Sequence, residues 1–476
     1  MKRMITLLLA VLMICALTVS AYADDIHTDA SPFLPSLGSA LSQGNIIILD
    51  ASLDGAGNVK LSEKYIDAEN VKTVTANDTA WGAVNSDTWY ICADNVTVNG
   101  RINIAGRVHL ILKDGCVLTA ENGIRLTEGN TLSVFAQSDG ENCGRLVANG
   151  NNGNAAIGGN AGFGDGSENE AAGTDGENAG TLNVFGGIIT ATAYYKSSVG
   201  IGGGYGIKGV DGNSQSGPNV GIVNATNGTK GGNGGIVNIY SGIVTANGSV
   251  GIGGGRGGKG GKGAVCYSHL EGFSSKTIEV TLLNVGDGGK GGDGSILCVY
   301  GGVLNASGGT VAVGGGNGGN GGDRRTVSFA EDVVVVASSN YYDSSGGDGG
   351  AGGIFTVKGG TVTLNGGIEA TGGGQGGLLG YDGGYDNKKK GHDGQNGADT
   401  TFTFAENCTL KAGDSEATAT EVSTYNGKNY LSVVGKQVNA VGSVFSEGNF
   451  AIILGVAGVA IGLIGGLMIR KKKQKN

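Results

Sequence analysis

Apolar and polar residues alternate along short segments of this chain that can be written above one another. The strings TLSVF from Thr131, TLNVFGGIITATA from Thr181, IVNIYSGIVTANG from Ile236, ILCVYGGVLNASG from Ile296 and IFTVKGGTVTLNG from Ile354 are copies of one pattern. Each has a glycine-ended partner: AAIGGN from Ala155, VGIGGG from Val199 and again from Val250, VAVGGG from Val311 and IEATGGG from Ile368. Period-two alternation is the strand period. The inward columns are Leu182/Val237/Leu297/Phe355, Val184/Ile239/Val299/Val357, Ile189/Val244/Leu304/Val362 and Ala191/Ala246/Ala306/Leu364. Two more are Val199/Val250/Val311/Ile368 and Ile201/Ile252/Val313/Ala370. Like side chains in one column are what in-register stacking at about 4.8 Å requires.

One copy therefore predicts three short strands, with Gly186-Gly187, Gly301-Gly302 and Gly359-Gly360 turning one corner. Three such strands need about 24 residues, the length of one coil of a parallel β-helix. The predicted fold is all-β: a right-handed parallel β-helix of about eight coils. Upstream, the segments from Trp89 to Gly106 and from His109 to Asn130 read as further coils; downstream, 401–420 reads as a degraded one.

Composition sharpens what lies between the strands. The 476 residues include 98 glycines but only 3 prolines, so neither collagen nor a Pro/Gly linker fits. The glycines gather in arms of G-G-x triplets: GGRGGKGGKG after Gly253, GGKGGD at 288–293, GGGNGGNGG at 314–322 and GGDGGAGG at 346–353. Period three is that of an extended polyproline-II-type helix. Outgoing and returning arms of successive copies are expected to stack as a polyglycine-II layer. The segments at 277–285 and 326–339 at the arm tips read as extra strands.

The ends predict export and anchoring. Residues 1–23 have a basic start at Lys2 and Arg3, an apolar run, and an A-x-A site at Ala21-Tyr22-Ala23, as a signal peptide does. Residues 450–469 carry no charge, matching a membrane helix, and Arg470, Lys471, Lys472, Lys473 and Lys475 follow as a cytoplasmic tail. Gly458, Gly462 and Gly466 share one face, a spacing that suits homo-oligomer contacts. This end resembles a Gram-positive cell-wall sorting signal, but no LPxTG-type motif precedes it, so a retained membrane anchor is expected. The predicted organisation is signal peptide 1–23, cap 24–88, repeat β-helix 89–420, juxtamembrane linker 421–449, membrane helix 450–469 and basic tail 470–476.

With Lys2, Arg3 and the five tail bases set aside, 25 basic residues face 41 acidic ones, a net charge of −16 that argues against nucleic acid. Cys92, Cys116, Cys143, Cys266, Cys298 and Cys408 lie in the exported part without a CxxC, several inside apolar runs, and read as buried thiols. His27, His109, His269 and His392 are isolated in the sequence, and no acid pair stacks on the outward positions Asn183, Asn238, Thr190, Thr245 and Asn305. The chain is therefore read as no enzyme, with no cofactor other than calcium. GGKGGD at 288–293 and GGNGGD at 318–323 resemble the start of the calcium nonapeptide, departing at Ser295 and Arg325. The calcium candidates are Asp287, Asp293, Asp323 and Asp348. Tyr194, Tyr195, Tyr341, Tyr342, Tyr381 and Tyr385 sit on corners and excursions; exposed tyrosines stack on sugar faces, which makes them the glycan-contact candidates.

The run VNGRINIAGRVHLILKDGCVLTAENGIRLTEGNTLSVFAQ and the following GGxVTA…GIGGG units resemble a family of secreted glycine-rich bacterial surface proteins. The resemblance spans 89–420. It implies a carbohydrate-binding or adhesin-like β-helix on the outer side of a cell membrane, with a wall or host polysaccharide as partner. A purely structural envelope protein is the alternative, and a polysaccharide-degrading enzyme a more distant one.

Overall fold

The computed structural model describes residues 44–55, 57–164, 173–194, 198–212, 224–269, 277–282, 285–323, 334–337, 344–380 and 391–435, the strands at 265–269, 277–282 and 334–337 by backbone alone. Contacts divide the chain into Met1–Ile46, of which only 44–46 are described, and Ile47–Asn476. The second unit is all-β; its described helical residues are two 3₁₀ turns, Ala68–Asn70 and Glu416–Thr418. No described helix is long and apolar enough to cross a membrane. Residues 1–23 and 450–476, with Gly458, Gly462 and Gly466, lie outside the described residues.

One large sheet carries the repeat. A first ladder pairs Thr181–Val184, Ile236–Ile239, Ile296–Val299, Ile354–Val357 and Thr401–Phe404 in parallel, copy over copy. Upstream it continues through Thr131–Ala136, Ile102–Leu112 and Ala80–Cys92 to Val71–Thr73. The pairing therefore starts inside the segment expected to be a cap, because Trp81 and Ile104 already sit opposite one another and bury their side chains. A second ladder pairs Val117–Ala120, Arg145–Gly150, Ile188–Ala193, Ile243–Gly253, Val303–Gly314 and Thr361–Gly366. A third joins Ile124–Arg125, Ile157–Gly158, Val199–Gly202 and the ends of the two long strands to Glu369–Gly372.

Five of the expected inward columns meet in one core that includes Leu182, Ile189 and Ile201 with their counterparts in the next copies, while Val199, Val250 and Val311 form a separate small cluster with Ala155. Each fully buried Val, Leu or Ile contributes about 1.5–3 kcal/mol. At the corner, Gly242 and Gly302 have φ of 80° and 73°, where a side chain would be strained. Two columns depart from expectation at their last member, Ile368 and Ala370. Val311 pairs with Glu369 and Val313 with Thr371, so Ile368 is not in the inward column and is 43% exposed. The reason is an irregularity after Gly248: the next copy holds one residue more before Val311, and the following copy keeps that longer count. The expected linker from 421 is also corrected. Tyr430–Gly435 is a strand, antiparallel to both Thr361–Gly366 and Cys408–Gly413, and it closes the second ladder. At the arm tips Thr277–Leu282 and Val334–Ala337 are strands, joined by Val265–His269 in a separate sheet.

The glycine arms are hydrogen-bonded to one another with period three. The second glycine of successive triplets forms a zigzag between outgoing and returning arms. The N–H groups of Gly232, Gly255, Gly292, Gly316, Gly350, Gly374 and Gly397 donate in turn to the carbonyls of Gly204, Gly232, Gly255, Gly292, Gly316, Gly350 and Gly374, each at 2.8–2.9 Å. The first glycine donates along like arms, as Gly257 does to Asn317 and Gly318 to Gln375. These glycines are required by proximity rather than by φ: a Cβ on Gly292 would stand 1.9 Å from the Gly232 oxygen. Gly292→Ala is expected to destabilise the protein by about 2–3 kcal/mol, while Lys290→Ala stays within about 0.5 kcal/mol. Denaturant unfolding compares the two. Amide exchange of Gly255, Gly292 and Gly316 should be as slow as that of the strands; fast exchange throughout the arms would contradict the layer.

Candidate binding face

The second ladder presents its outer face as ordered rows. Along Ile188–Ala193 burial alternates, so Ile188, Thr190 and Thr192 point away from the core while Ile189, Ala191 and Ala193 point in. The strand register extends this outward set into three rows. Ile188, Ile243, Val303 and Thr361 form a largely apolar row. Beside it run Thr190, Thr245, Asn305 and Thr363, then Thr192, Asn247, Ser307 and Asn365. Spacing along each row is that of the strands, about 4.8 Å. Tyr194 follows directly at the end of its strand, 72% exposed, with its hydroxyl 3.4 Å from Asn149 Oδ1. A short polar grid beside an apolar row and an exposed ring offers hydrogen bonds to hydroxyls and a face for a sugar ring.

At the corner flanking this face stands an aromatic column, made of the residues that precede the corner in the aligned repeats. Trp89, His109, Phe135, Phe185, Tyr240 and Tyr300 follow one another along the first ladder. Phe135–Phe185, Phe185–Tyr240 and Tyr240–Tyr300 have centroids 4.7, 4.8 and 4.9 Å apart and planes within 3°. The Lys358 amine, 5.1 Å from the Tyr300 ring centre, continues it. Burial, with Cys298 nearby, pushes the Tyr240 and Tyr300 hydroxyls above their ordinary value. The readable signal was the residue before each corner: Phe185, Tyr240, Tyr300, Lys358. On the next face, Asn238 Nδ2 donates to Asn183 Oδ1 at 2.9 Å, and Asn183 Nδ2 to Ser133 Oγ at 3.3 Å.

The calcium candidates occupy the third position of the glycine triplets. Asp287 Oδ1 accepts the Ser345 N–H at 2.7 Å, Asp293 Oδ1 the Ala351 N–H at 2.9 Å and Asp348 Oδ1 the Gln395 N–H at 2.8 Å. Asn317 and Asn320 do the same for Gln375 and Leu378. At these positions the third N–H of the triplet meets an Asp or Asn side-chain oxygen from one copy earlier instead of a glycine carbonyl. Asp323 pairs with Lys259 at 2.7 Å. The structure brings none of these aspartates together, and no group of three or more His, Cys, Asp or Glu among the described residues could hold a metal ion. Of the histidines, His109 stacks on Trp89 and pairs with Asp87, and the His392 N–H donates to Ser345 Oγ at 3.3 Å. Tyr195, Tyr341, Tyr342, Tyr381, Tyr385 and His27 lie outside the described residues.

A polar depression of about 490 Å³, where the first glycine arms meet the strands, is lined by Arg125, Glu128, Glu177, Asn178 and Lys230 among others. Its Arg125, Glu177 and Glu128 side chains are engaged internally, Glu128 accepting from Asn178 Nδ2 at 3.0 Å. Glu177 takes two hydrogen bonds from the Arg125 guanidinium, at 2.8 and 2.5 Å, and one from the Asn160 N–H at 3.0 Å. Behind it, the Arg101 guanidinium donates to the carbonyls of Asn122, Ile124 and Gly158. Burial lowers Arg101 to about 10, against the opposing pull of Glu177. Burial by itself would raise the Glu177 carboxyl, but its bonds to Arg125 and Asn160 and the charge of both arginines outweigh that and hold it below the usual range.

No family model matches this chain, and no curated protein or solved structure matches it either.

Glu177 has a depressed pKa in the folded protein, so its stabilisation is complete above the unfolded carboxylate value of about 4.3. It is lost as pH falls through the lower folded value. Glu177→Gln is expected to cost about 2 kcal/mol at pH 7, between exposed and fully buried pairs, and to flatten the acid limb of the stability curve. Thermal unfolding of both proteins between pH 3 and 7 checks this.

Proposed function

We propose that this chain is an exported, membrane-anchored surface protein, a right-handed parallel β-helix with polyglycine-II arms, that binds neutral or basic glycans. The carrying observation is the outer face of the second ladder. Its rows Thr190/Thr245/Asn305/Thr363 and Thr192/Asn247/Ser307/Asn365 repeat one hydrogen-bonding geometry beside an apolar row, with exposed Tyr194 at the end of one strand. A polysaccharide is a polymer of repeating hydroxyls and apolar ring faces, which suits such a grid. The excess of acidic residues disfavours anionic polymers. Adhesion follows from many weak contacts along one polymer acting together.

A second reading, a structural envelope protein without a discrete ligand, draws on the glycine layer. There the Asn and Asp side chains serve the backbone of the next copy, leaving the arms committed to internal bonding.

Glycan arrays of wall and host polysaccharides separate the readings. Binding that weakens roughly tenfold, about 1.4 kcal/mol, in Tyr194→Ala and is retained in Tyr194→Phe supports the face. Absence of binding to every polymer would leave the structural reading. Membrane fractionation with protease added to intact cells tests the placement: the chain should stay with the membrane and be cut from outside.

A further inference from the structure

Two buried thiols meet near the start of the sheet. Cys92 ends the strand Ala80–Cys92, and Cys116 stands one layer on, just before Val117–Ala120. Both side chains are buried, at 0% and 3% exposure. The backbone brings them together through two bonds: the Lys113 N–H donates to the Cys92 carbonyl at 3.1 Å, and the Cys116 N–H donates to the Lys113 carbonyl at 3.1 Å. The Cys92 thiol donates to the Asp94 carbonyl at 3.1 Å, and the two thiols are near enough to shift one another's titration. Both are free thiols here. Cys143 belongs to the following layer, where the Arg145 N–H donates to the Cys116 carbonyl. Burial first, then Asp114, pushes its thiol up to about 11.

We propose that Cys92 and Cys116 form a disulfide that clamps the first layers of the sheet, with a disulfide-bearing thiol oxidant as co-reactant. The thiol pair is asymmetric in the sense such a reaction needs. Interaction with the neighbouring Cys92 thiol holds the Cys116 thiol below its ordinary value, while Cys92 is raised by the same interaction and by burial. The Cys116 thiolate attacks one sulfur of the oxidant, giving a mixed disulfide and releasing one reduced thiol. Cys92 then loses its proton and attacks the Cys116 sulfur, releasing the second thiol. The protein gives up two electrons and two protons, and the oxidant's disulfide becomes two thiols.

The placement gives the bond a use. Layered repeats open from their ends, because a terminal layer has a neighbour on one side only. The cross-link closes the segment from Cys92 to Cys116, which the parallel pairing of Ala80–Cys92 with Ile102–Leu112 already folds back on itself. Within the cell, the oxidising compartment comes from the export reading; the test below on purified protein does not depend on it.

The full chain is purified in detergent, unfolded, and refolded in a mixture of oxidised and reduced glutathione. Remaining thiols are then alkylated, and the protein is digested with trypsin without reduction. Trypsin cuts after Arg101, Arg107 and Lys113, so Cys92 leaves on peptide 73–101, Cys116 on 114–125 and Cys143 on 126–145. The expected product is 73–101 linked to 114–125, with Cys143 alkylated. Cys92→Ser should leave Cys116 alkylated or glutathionylated and abolish the link. In the wild type, reduction should speed protease cutting within 71–116 roughly tenfold. A link through Cys143, or alkylation of both Cys92 and Cys116 in refolded protein, would overturn the proposal.

Discussion

In the described ladders and arms most backbone N–H groups find their acceptor on a neighbouring strand or arm, and the rest of the structure follows from that requirement. In the ladders the requirement is met as in any parallel sheet, so each copy needs the same side chains in the same columns. In the arms no strand geometry is available, and the triplet meets it in three ways. The first glycine bonds along the layer, the second across it, and at positions such as Asp293 and Ala351 the third residue's N–H donates to an Asn or Asp side chain of the copy before. This spacing places carbonyl oxygens where Cβ atoms would be. Glycine is abundant because two of every three arm positions have a neighbouring backbone in side-chain space.

A structure built on copies must also stop, since an unpaired last layer would recruit further chains. At one end of the arms the N–H groups of Gly376 and Leu379 donate to side chains instead of a further arm: Asn396 Oδ1 at 2.9 Å and Asp393 Oδ1 at 2.7 Å. The second ladder stops where Tyr430–Gly435 enters in the opposite direction. There the Tyr425 hydroxyl takes the Ala370 N–H at 3.0 Å and donates to the Lys428 carbonyl. Near the other end, Arg101 donates to carbonyls of two successive layers, Asn122 and Ile124 in one and Gly158 in the next, and Glu177 serves the Asn160 N–H. The charged groups of the polar depression are therefore better explained as termination than as a ligand site, and the repeating outer rows remain as the surface with capacity to spare.

The columns of Leu182, Val184, Ile189 and Ala191 were legible because a buried position repeated at strand spacing admits one kind of side chain. So was the pairing of glycine arms, whose period of three differs from both strand and helix. The slip at Ile368 was not, because aligning on the glycine run hides one added residue 60 positions earlier, near Gly309. Nor was the strand at Tyr430–Gly435, which resembles no copy and is fixed only by the ladder it closes. The aspartates of the triplets were read as metal ligands from their spacing. What they face is a backbone N–H in another copy, some 47 to 58 residues away.

By itself the sequence determined that this is a repeated, parallel, all-β chain with glycine arms, because periodicity is a local property that survives without coordinates. The tertiary structure decided which atoms those repeats bring together: the aromatic column, the grid beside Tyr194, the oxygens that Asp287, Asp293 and Asp348 lend to the next copy, and the meeting of Cys92 with Cys116. Each joins residues from different copies or layers, and their distance is set by how the layers register on one another.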